Sequence, residues 1–302
     1  MGLNLLISGS TGFVGSNLSL YLKKLKSYNI IPFDRKIQKI KITNIDTVIH
    51  LAGKAHDLKN VTQPNDYFES NYLLTKKIFD AFINSSANVF IFISSVKAVA
   101  DSIEGVLTED ITPNPKTIYG QSKLAAEEYI LSVKNKIDKR IYILRPCMIH
   151  GPKNKGNLNL LYKFISVGIP YPFGIYNNCR SFLSVDNLCF VINELINNDK
   201  IASGIYNIAD DDSISTIDLV KLISGVLGKP NRILKLPKSF ISFLAKIGDF
   251  LPIPINSERL QKLTENYEVS NLKIKNAINK KLPLSSTEGI KKTITSFLIN
   301  CK

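Results

Sequence analysis

The segment Gly9-Ser10-Thr11-Gly12-Phe13-Val14-Gly15 follows directly on an apolar run, NLLISG at 4–9, and leads into a helical pattern at 12–26. A strand, a glycine turn and a helix in immediate succession restrict a chain to few architectures, all built from strand–helix–strand units. The three glycines serve a tight turn, a close approach of backbone to a pyrophosphate, and close packing of helix on strand. The phosphate would rest on the helix N-terminus. The whole loop, Gly9 to Gly15, is therefore the first candidate binding segment. Asp34 stands 19 residues past Gly15, at the end of the second apolar run. A carboxylate there accepts hydrogen bonds from the ribose hydroxyls of an adenosine and repels a 2′-phosphate, so NAD is expected. Arg35 beside it would admit NADP instead.

The runs NIIPFD (29–34), TVIHLAG (47–53), NVFIFISS (88–95) and RIYILRP (140–146) read as further strands. Between them lie helical patterns at 66–84, with Phe68, Tyr72, Thr75, Ile78, Phe79 and Phe82 on one face, and at 120–136. Continuous apolar strands alternating with helices imply a parallel sheet covered on both faces. The expected fold class is α/β, a Rossmann-type doubly wound sheet. After Pro146 the rhythm changes to loops such as GPKNKGN and GIPYPFG, and prolines at 230, 237, 252 and 254 break the later helices. The reading is a cofactor-binding lobe from 1–150 plus 183–212 and a smaller C-terminal lobe from 151–182 plus 213–302.

The chain of 302 residues carries a formal net charge of +14, and its last 84 residues hold fifteen Lys and Arg against five Asp and Glu. A general Lys, Asn and Ile bias and a phosphate-bearing ligand both account for this. No helix-turn-helix, zinc-finger or RNA-binding pattern is present, so nucleic acid is not an expected partner. Cys147, Cys179, Cys189, Cys301, His50, His56 and His150 form no metal-ligand spacing, and no metal site is expected. No window of apolar residues is long enough to span a bilayer. The N-terminal apolar run opens into the glycine loop and reads as a strand rather than a leader, so a cytoplasmic protein is expected. The stretch FISFLAKIGDFLP (240–252) is apolar with flanking lysines. It reads as packing within the small lobe in preference to contact with a membrane surface.

The chemistry sits in YGQSK, which places Tyr119 and Lys123 one turn apart on one helix face. Ser94 and Ser95 end the preceding strand. A serine at a strand end and a Tyr–Lys pair on the next helix can surround one carbonyl or carbinol. Tyr119 would act as general acid and base, Lys123 would lower the tyrosine pKa, and Ser95 would hydrogen-bond the same oxygen. Cys147 reads as a wall residue, since nothing in the sequence pairs it with a base.

In this order, GSTGFVG, Asp34, HLAG, Asn71, the serine pair, YGQSK and LRP resemble the extended short-chain dehydrogenase/reductase family, within it the NAD-dependent epimerases and dehydratases of nucleotide sugars. The resemblance spans nearly the whole chain. It implies that Leu51, Ala52, Gly53 and Ser94 line the cofactor, that Asn71 supports the site, and that Pro146 lies beside the nicotinamide. RSFLSVDN resembles the segment whose arginine binds the sugar-nucleotide diphosphate, which assigns Arg180 to that role. Arg259 is a second arginine candidate, and Asn157 falls where such enzymes contact the nucleotide. Only 15 residues separate Asp34 from His50, too few for the family's usual helix, strand and helix, so the third strand is expected to be trimmed.

Family 4,6-dehydratases carry an Asp–Glu pair where this chain has Val96 and Lys97, and the decarboxylases place a glutamate nearby. The resemblance therefore implies chemistry at C4 alone. The expected enzyme is a 4-epimerase or a 4-ketoreductase of a UDP-linked sugar, similar to a subgroup that serves bacterial surface polysaccharides. A non-catalytic NAD(P)-binding sensor on the same fold is the alternative. Lys97 is a candidate contact to the sugar or diphosphate. By resemblance the helices at 66–84 and 120–136 would build a homodimer.

Overall fold

The computed structural model describes residues 2–33, 42–54, 63–134, 136–154, 156–251 and 256–299. Six strands form the central sheet: β1 (Leu3–Ser8), β2 (Tyr28–Pro32), β3 (Thr47–His50), β4 (Val89–Ile93), β5 (Arg140–Pro146) and β6 (Gly204–Ile208). Their spatial order is β6-β5-β4-β3-β1-β2, and every pairing is parallel. Among the described residues β2 ends the sheet, in keeping with the short spacing before His50. Asp34, Arg35 and His56 lie outside the described residues.

The strands are apolar along their length because both faces are covered. In β4, Val89, Ile91 and Ile93 join the core on one side of the sheet, while Phe90 and Phe92 join the core on the other. The first side is closed by helix α1 (Phe13–Leu25), through Leu18 and Leu22. The opposite side is closed by α2 and α3. Helix α2 runs through Pro64–Tyr67, a π-helical turn at Phe68–Leu73, and Leu74–Ile83. Helix α3 spans Ile118–Lys134. Phe79 and Phe82 of α2 pack against Phe90 with ring centroids 4.9 and 5.1 Å apart. Buried apolar side chains of this size each contribute about 1.5–3 kcal/mol.

A second core lies apart from those of the sheet. Helices α4 (Asn157–Ser166), α6 (Thr216–Val226) and α10 (Ser286–Ile299) gather Leu158, Tyr162, Leu219, Ile223, Ile290, Ile294 and Phe297. Between α4 and α6 in the chain, α5 (Val185–Asn197) returns to the central sheet and packs on the α1 side, and β6 then closes the sheet edge. Helices α7 (Lys238–Gly248) and α8 (Ser257–Thr264) meet in a minor cluster of Ile241, Ala245 and Leu260. Helix α9 (Leu272–Ile278) packs Ile274 and Ile278 onto the core of the sheet.

Candidate active site

The site forms where the strands end. The glycine loop joins β1 to α1. Gly9 has φ +72°, and a Cβ on Gly15 would stand 2.1 Å from the Gly9 carbonyl oxygen. Glycine is therefore required for the turn to fold back on the first turn of α1. Gly12 caps α1 without a side-chain hydrogen bond, and no acidic side chain occupies the first turn. The outermost backbone N–H groups, with Ser10, Thr11, Phe13 and Val14 around them, make a cradle suited to a pyrophosphate.

The β3 end continues this cradle. Leu51 N–H donates to the Ser8 carbonyl and Ala52 N–H to Ser8 Oγ, each at 3.2 Å. His50, fully buried and stacked on Phe92, bonds Ser8 Oγ at 2.5 Å and Thr75 Oγ1 at 2.8 Å. Gly53 faces the Asn71 amide and the Lys123 ammonium. Asn71 sits in the π-helical turn of α2, a distortion frequent at functional sites. Its Oδ1 accepts from Lys54 N–H at 2.7 Å, and its amide donates to the Lys54 carbonyl at 3.1 Å and to Ser122 Oγ at 2.9 Å. Asn71 thus ties the β3 loop to α3.

The β4 and β5 ends complete the set. Ser94 N–H donates to the Leu144 carbonyl at 2.7 Å, which sets the start of the serine pair beside the end of β5, and Cys147 N–H donates to the Ile208 carbonyl at 3.0 Å, which ties that end to β6. Ser95 starts a short 3-10 turn at Val96–Ala98, with its Oγ accepting from Lys97 N–H at 3.2 Å. Helix α3 lies directly against this turn. A Cβ on Gly120 would stand 2.3 Å from the Lys97 carbonyl oxygen, so Tyr119 reaches Ser95 only because the next residue is glycine. Tyr119 is hydrogen-bonded to Ser95 and packs edge-on against Tyr67.

Burial pushes the Tyr119 phenol above its ordinary pKa, while the Ser95 hydrogen bond acts in the opposite direction. The net direction differs from the lowering by Lys123 that the sequence pattern led us to expect. The Lys123 ammonium donates to the Ile93 carbonyl at 2.9 Å and lies 4.9 Å from the centroid of the Phe92 ring. Burial lowers the Lys123 pKa to about 8, with Glu127 pulling it back up.

Glu127 continues the same helix face as Tyr119 and Lys123, at i, i+4 and i+8. Its fully buried carboxylate accepts from Arg145 Nε at 3.1 Å and Arg145 Nη2 at 2.6 Å, and from the Ser94 hydroxyl. The Glu127–Arg145 pair therefore braces Ser94, next to Ser95.

Of the candidate substrate residues, only Lys97 adjoins this set, in the turn that Ser95 starts. Arg180 is half-buried, paired with Glu265 at 3.6 Å and bridged through its backbone to Tyr267; burial lowers its pKa. Lys97 donates from Nζ to the Asp101 carbonyl at 2.6 Å and lies 4.1 Å from the centroid of the Tyr267 ring. The Tyr267 hydroxyl donates to the Ala100 carbonyl at 2.7 Å. Lys97 and Arg180 thus meet at one tyrosine, which packs with the core of the sheet. Asn157 is exposed at the start of α4. Arg259 belongs to α8, and its side chain lies outside the described set.

Glu127, Arg145 and Tyr267 were not among the residues expected from sequence. An arginine inside an otherwise apolar, buried strand was the available signal for the first two, because such a charge requires a buried partner. Nothing local in the sequence marked Tyr267.

The family model for NAD dependent epimerase/dehydratase proteins matches residues 5–209. The UDP-glucose 4-epimerase of Vibrio cholerae is 30% identical across 98% of this chain and 95% of that protein. The N-acetyl-alpha-D-glucosaminyl-diphospho-ditrans,octacis-undecaprenol 4-epimerase of Escherichia coli O157:H7 is 27% identical across 90% of this chain and 84% of its own length. Among solved structures, the UDP-glucuronic acid 4-epimerase from Bacillus cereus in complex with NAD superposes with a TM-score of 0.76. It covers 97% of this chain and 96% of its own at 19% identity, a likeness of fold.

Proposed function

The chain belongs to the NAD-dependent epimerase/dehydratase family, and from that premise we propose that it is a 4-epimerase of a UDP-linked hexose. The observation that carries the reading is the convergence of Ser95, Tyr119 and Lys123 beside a position, Val96–Lys97, that offers no carboxylate for elimination across C5 and C6. The names of the relatives point the same way: one is a UDP-glucose 4-epimerase and another a 4-epimerase of a diphospho-linked sugar. They give no support to a non-catalytic sensor.

The residues fit a dinucleotide. The cradle of Gly9 to Gly15 would hold its pyrophosphate, and Leu51, Ala52, Gly53, Asn71, Ser94 and Pro146 would line the nicotinamide half. When bound, the nicotinamide supplies the acceptor and donor of hydride for C4. The chain's own part is proton handling and placement. Tyr119 would take the proton of the C4 hydroxyl and return it to the C4 oxygen, with the Ser95 hydroxyl bonding the same oxygen. The Lys123 ammonium would stabilise the tyrosinate while it exists. Asn71 and Ser122 would hold the β3 loop and α3 in register during both half-reactions. Arg180, with Arg259 and Asn157, would meet the nucleotide diphosphate. The proposal includes a homodimer through α2 and α3 and a cytoplasmic setting.

The test is product analysis of UDP-glucose and UDP-N-acetylglucosamine incubated with the protein and NAD. A parallel sample holds a UDP-4-keto-6-deoxy sugar with reduced nicotinamide. Formation of the 4-epimer, lost by about 10²–10⁴-fold in Tyr119→Phe, is the expected result. Stoichiometric consumption of reduced nicotinamide with no epimer formed would replace the epimerase by a one-way 4-ketoreductase.

A further inference from the structure

The sequence reading assigned 240–252 to ordinary packing. Only part of α7 packs. Ile241 and Ala245 are buried against Leu260, with Phe173, Tyr176 and Leu236 around them. Phe240 is 48% exposed, Phe243 61%, Phe250 90% and Leu251 55%. Three phenylalanines and a leucine in one short stretch are more apolar exposure than scattered surface residues account for. Phe240 and Phe243 share a helix face that also carries Ile247, and Phe250 and Leu251 extend it past the helix end.

The charge around this face has one sign. Residues 229–251 hold Lys229, Arg232, Lys235, Lys238 and Lys246 against the single carboxylate Asp249. Asp249 is engaged locally, accepting from Ser257 N–H at 2.9 Å and Ser257 Oγ at 2.6 Å. Lys235, Lys238 and Lys246 are exposed, the last two on α7 itself. A second copy seated on this face would bring like charges together, with only Asp249, already bonded to Ser257, to answer them. An anionic lipid surface answers both features: its headgroups meet the lysines, and its acyl boundary takes the phenylalanines. No helix of the described residues is long and apolar enough to cross a membrane, so the contact is peripheral.

We propose that α7 and the Phe250–Leu251 extension form a docking surface for an anionic membrane. The contact would reach the substrate lobe through short links. Helix α7 packs on α8 through Ile241, Ala245 and Leu260. The carbonyl of Leu263, at the end of α8, accepts from the Asn178 amide at 3.1 Å, two residues from Arg180, and Glu265 pairs with Arg180. A docked α7 would therefore hold the Arg180 side of the cleft close to the lipid surface. The inference does not depend on the reaction proposed above.

The experiment is flotation of the full chain with phosphatidylcholine vesicles, with and without phosphatidylglycerol, at low and high salt. Binding to the anionic vesicles alone, weakened by salt, is expected. Phe243→Ser with Phe250→Ser should lower the partition by about tenfold or more. Lys238→Gln with Lys246→Gln should lower it by about fivefold per lysine. All four side chains are exposed, so the thermal midpoint should stay at the wild-type value, and the lysine pair serves as the second probe if the serine pair unfolds. Failure of the wild-type chain to float with anionic vesicles at low salt would overturn the proposal. So would undiminished binding of a folded phenylalanine variant, which would leave charge attraction without docking. Loss of self-association in that variant, with no vesicle binding by the wild type, would assign the face to a second copy instead.

Discussion

Helix α3 buries Ser122, Lys123 and Glu127, while α7 leaves Phe240 and Phe243 in solvent. The two helices depart from the ordinary partition of side chains in opposite directions, and the difference lies in what closes each departure. On α3 the closure is internal. Ser122 bonds Asn71, Lys123 bonds the Ile93 carbonyl, and Glu127 is met by Arg145 and Ser94. Burying these groups costs solvation, and the cost is accepted where the polar set holds Tyr119 and Ser95 in place. On α7 about half of Phe240 and more than half of Phe243 stay uncovered by the described residues. In our proposal, the chain carries polar groups inward where it does chemistry and apolar groups outward where it meets a second phase.

Removing internal closure should have the largest effect. Glu127→Ala leaves Arg145 buried without a counter-charge and should cost about 3–5 kcal/mol in urea unfolding. The double change Glu127→Met with Arg145→Met should recover most of that loss. A cost below about 1 kcal/mol for the single change would break the comparison, because a loss that small is what an exposed ion pair gives.

Next comes pH. Folded Lys123 releases its proton at about 8, whereas an unfolded lysine holds its proton to about 10.5. Between those values the unfolded chain binds more protons, so stability rises with pH in that window. Measured against Lys123→Met, which cancels the other groups, the wild type should gain about 3 kcal/mol between pH 7 and 10.5. A flat difference would mean that the lysine is not held as described.

Lys97→Met removes the contact with the Tyr267 ring and the bond to Asp101, and should cost about 1 kcal/mol. With those contacts as its role, KM should change by less than about twofold, whereas a direct charge contact to the diphosphate would raise it by about tenfold or more. The smallest effect belongs to α7: Phe243→Ser should move stability by no more than about 0.5 kcal/mol. A larger loss would show that Phe243 packs after all, and the two helices would no longer be opposites.

The strands, the glycine loop and the Tyr119–Lys123 pair were legible in sequence because each is a local pattern with one physical meaning. Continuous apolar runs such as Val89–Ile93 allow only a doubly covered strand, and Gly15 is demanded by an atom six residues away. What stayed hidden depends on partners far along the chain. Glu127 reads as one more helix glutamate until Arg145 is seen beside it. Lys97 reads as a stray cation until Tyr267 is seen beside it, 170 residues further along the chain. The direction of the Tyr119 shift was misjudged because burial outweighs the neighbouring groups, and burial is a property of the assembled site. The outward face of α7 was not legible because its period is that of any packed helix, and only the structure tells which of its apolar residues meet others.

The most direct test of the central claim is the fate of hydrogen at C4. A UDP-hexose carrying deuterium at C4 would be incubated with the protein and NAD, and the 4-epimer isolated and examined by mass spectrometry and NMR. The account predicts an epimer that keeps deuterium at C4, with no label taken from solvent, and no epimer above background from Tyr119→Phe. An epimer that has exchanged its C4 label for solvent hydrogen, or one that Tyr119→Phe forms at the wild-type rate, would contradict it.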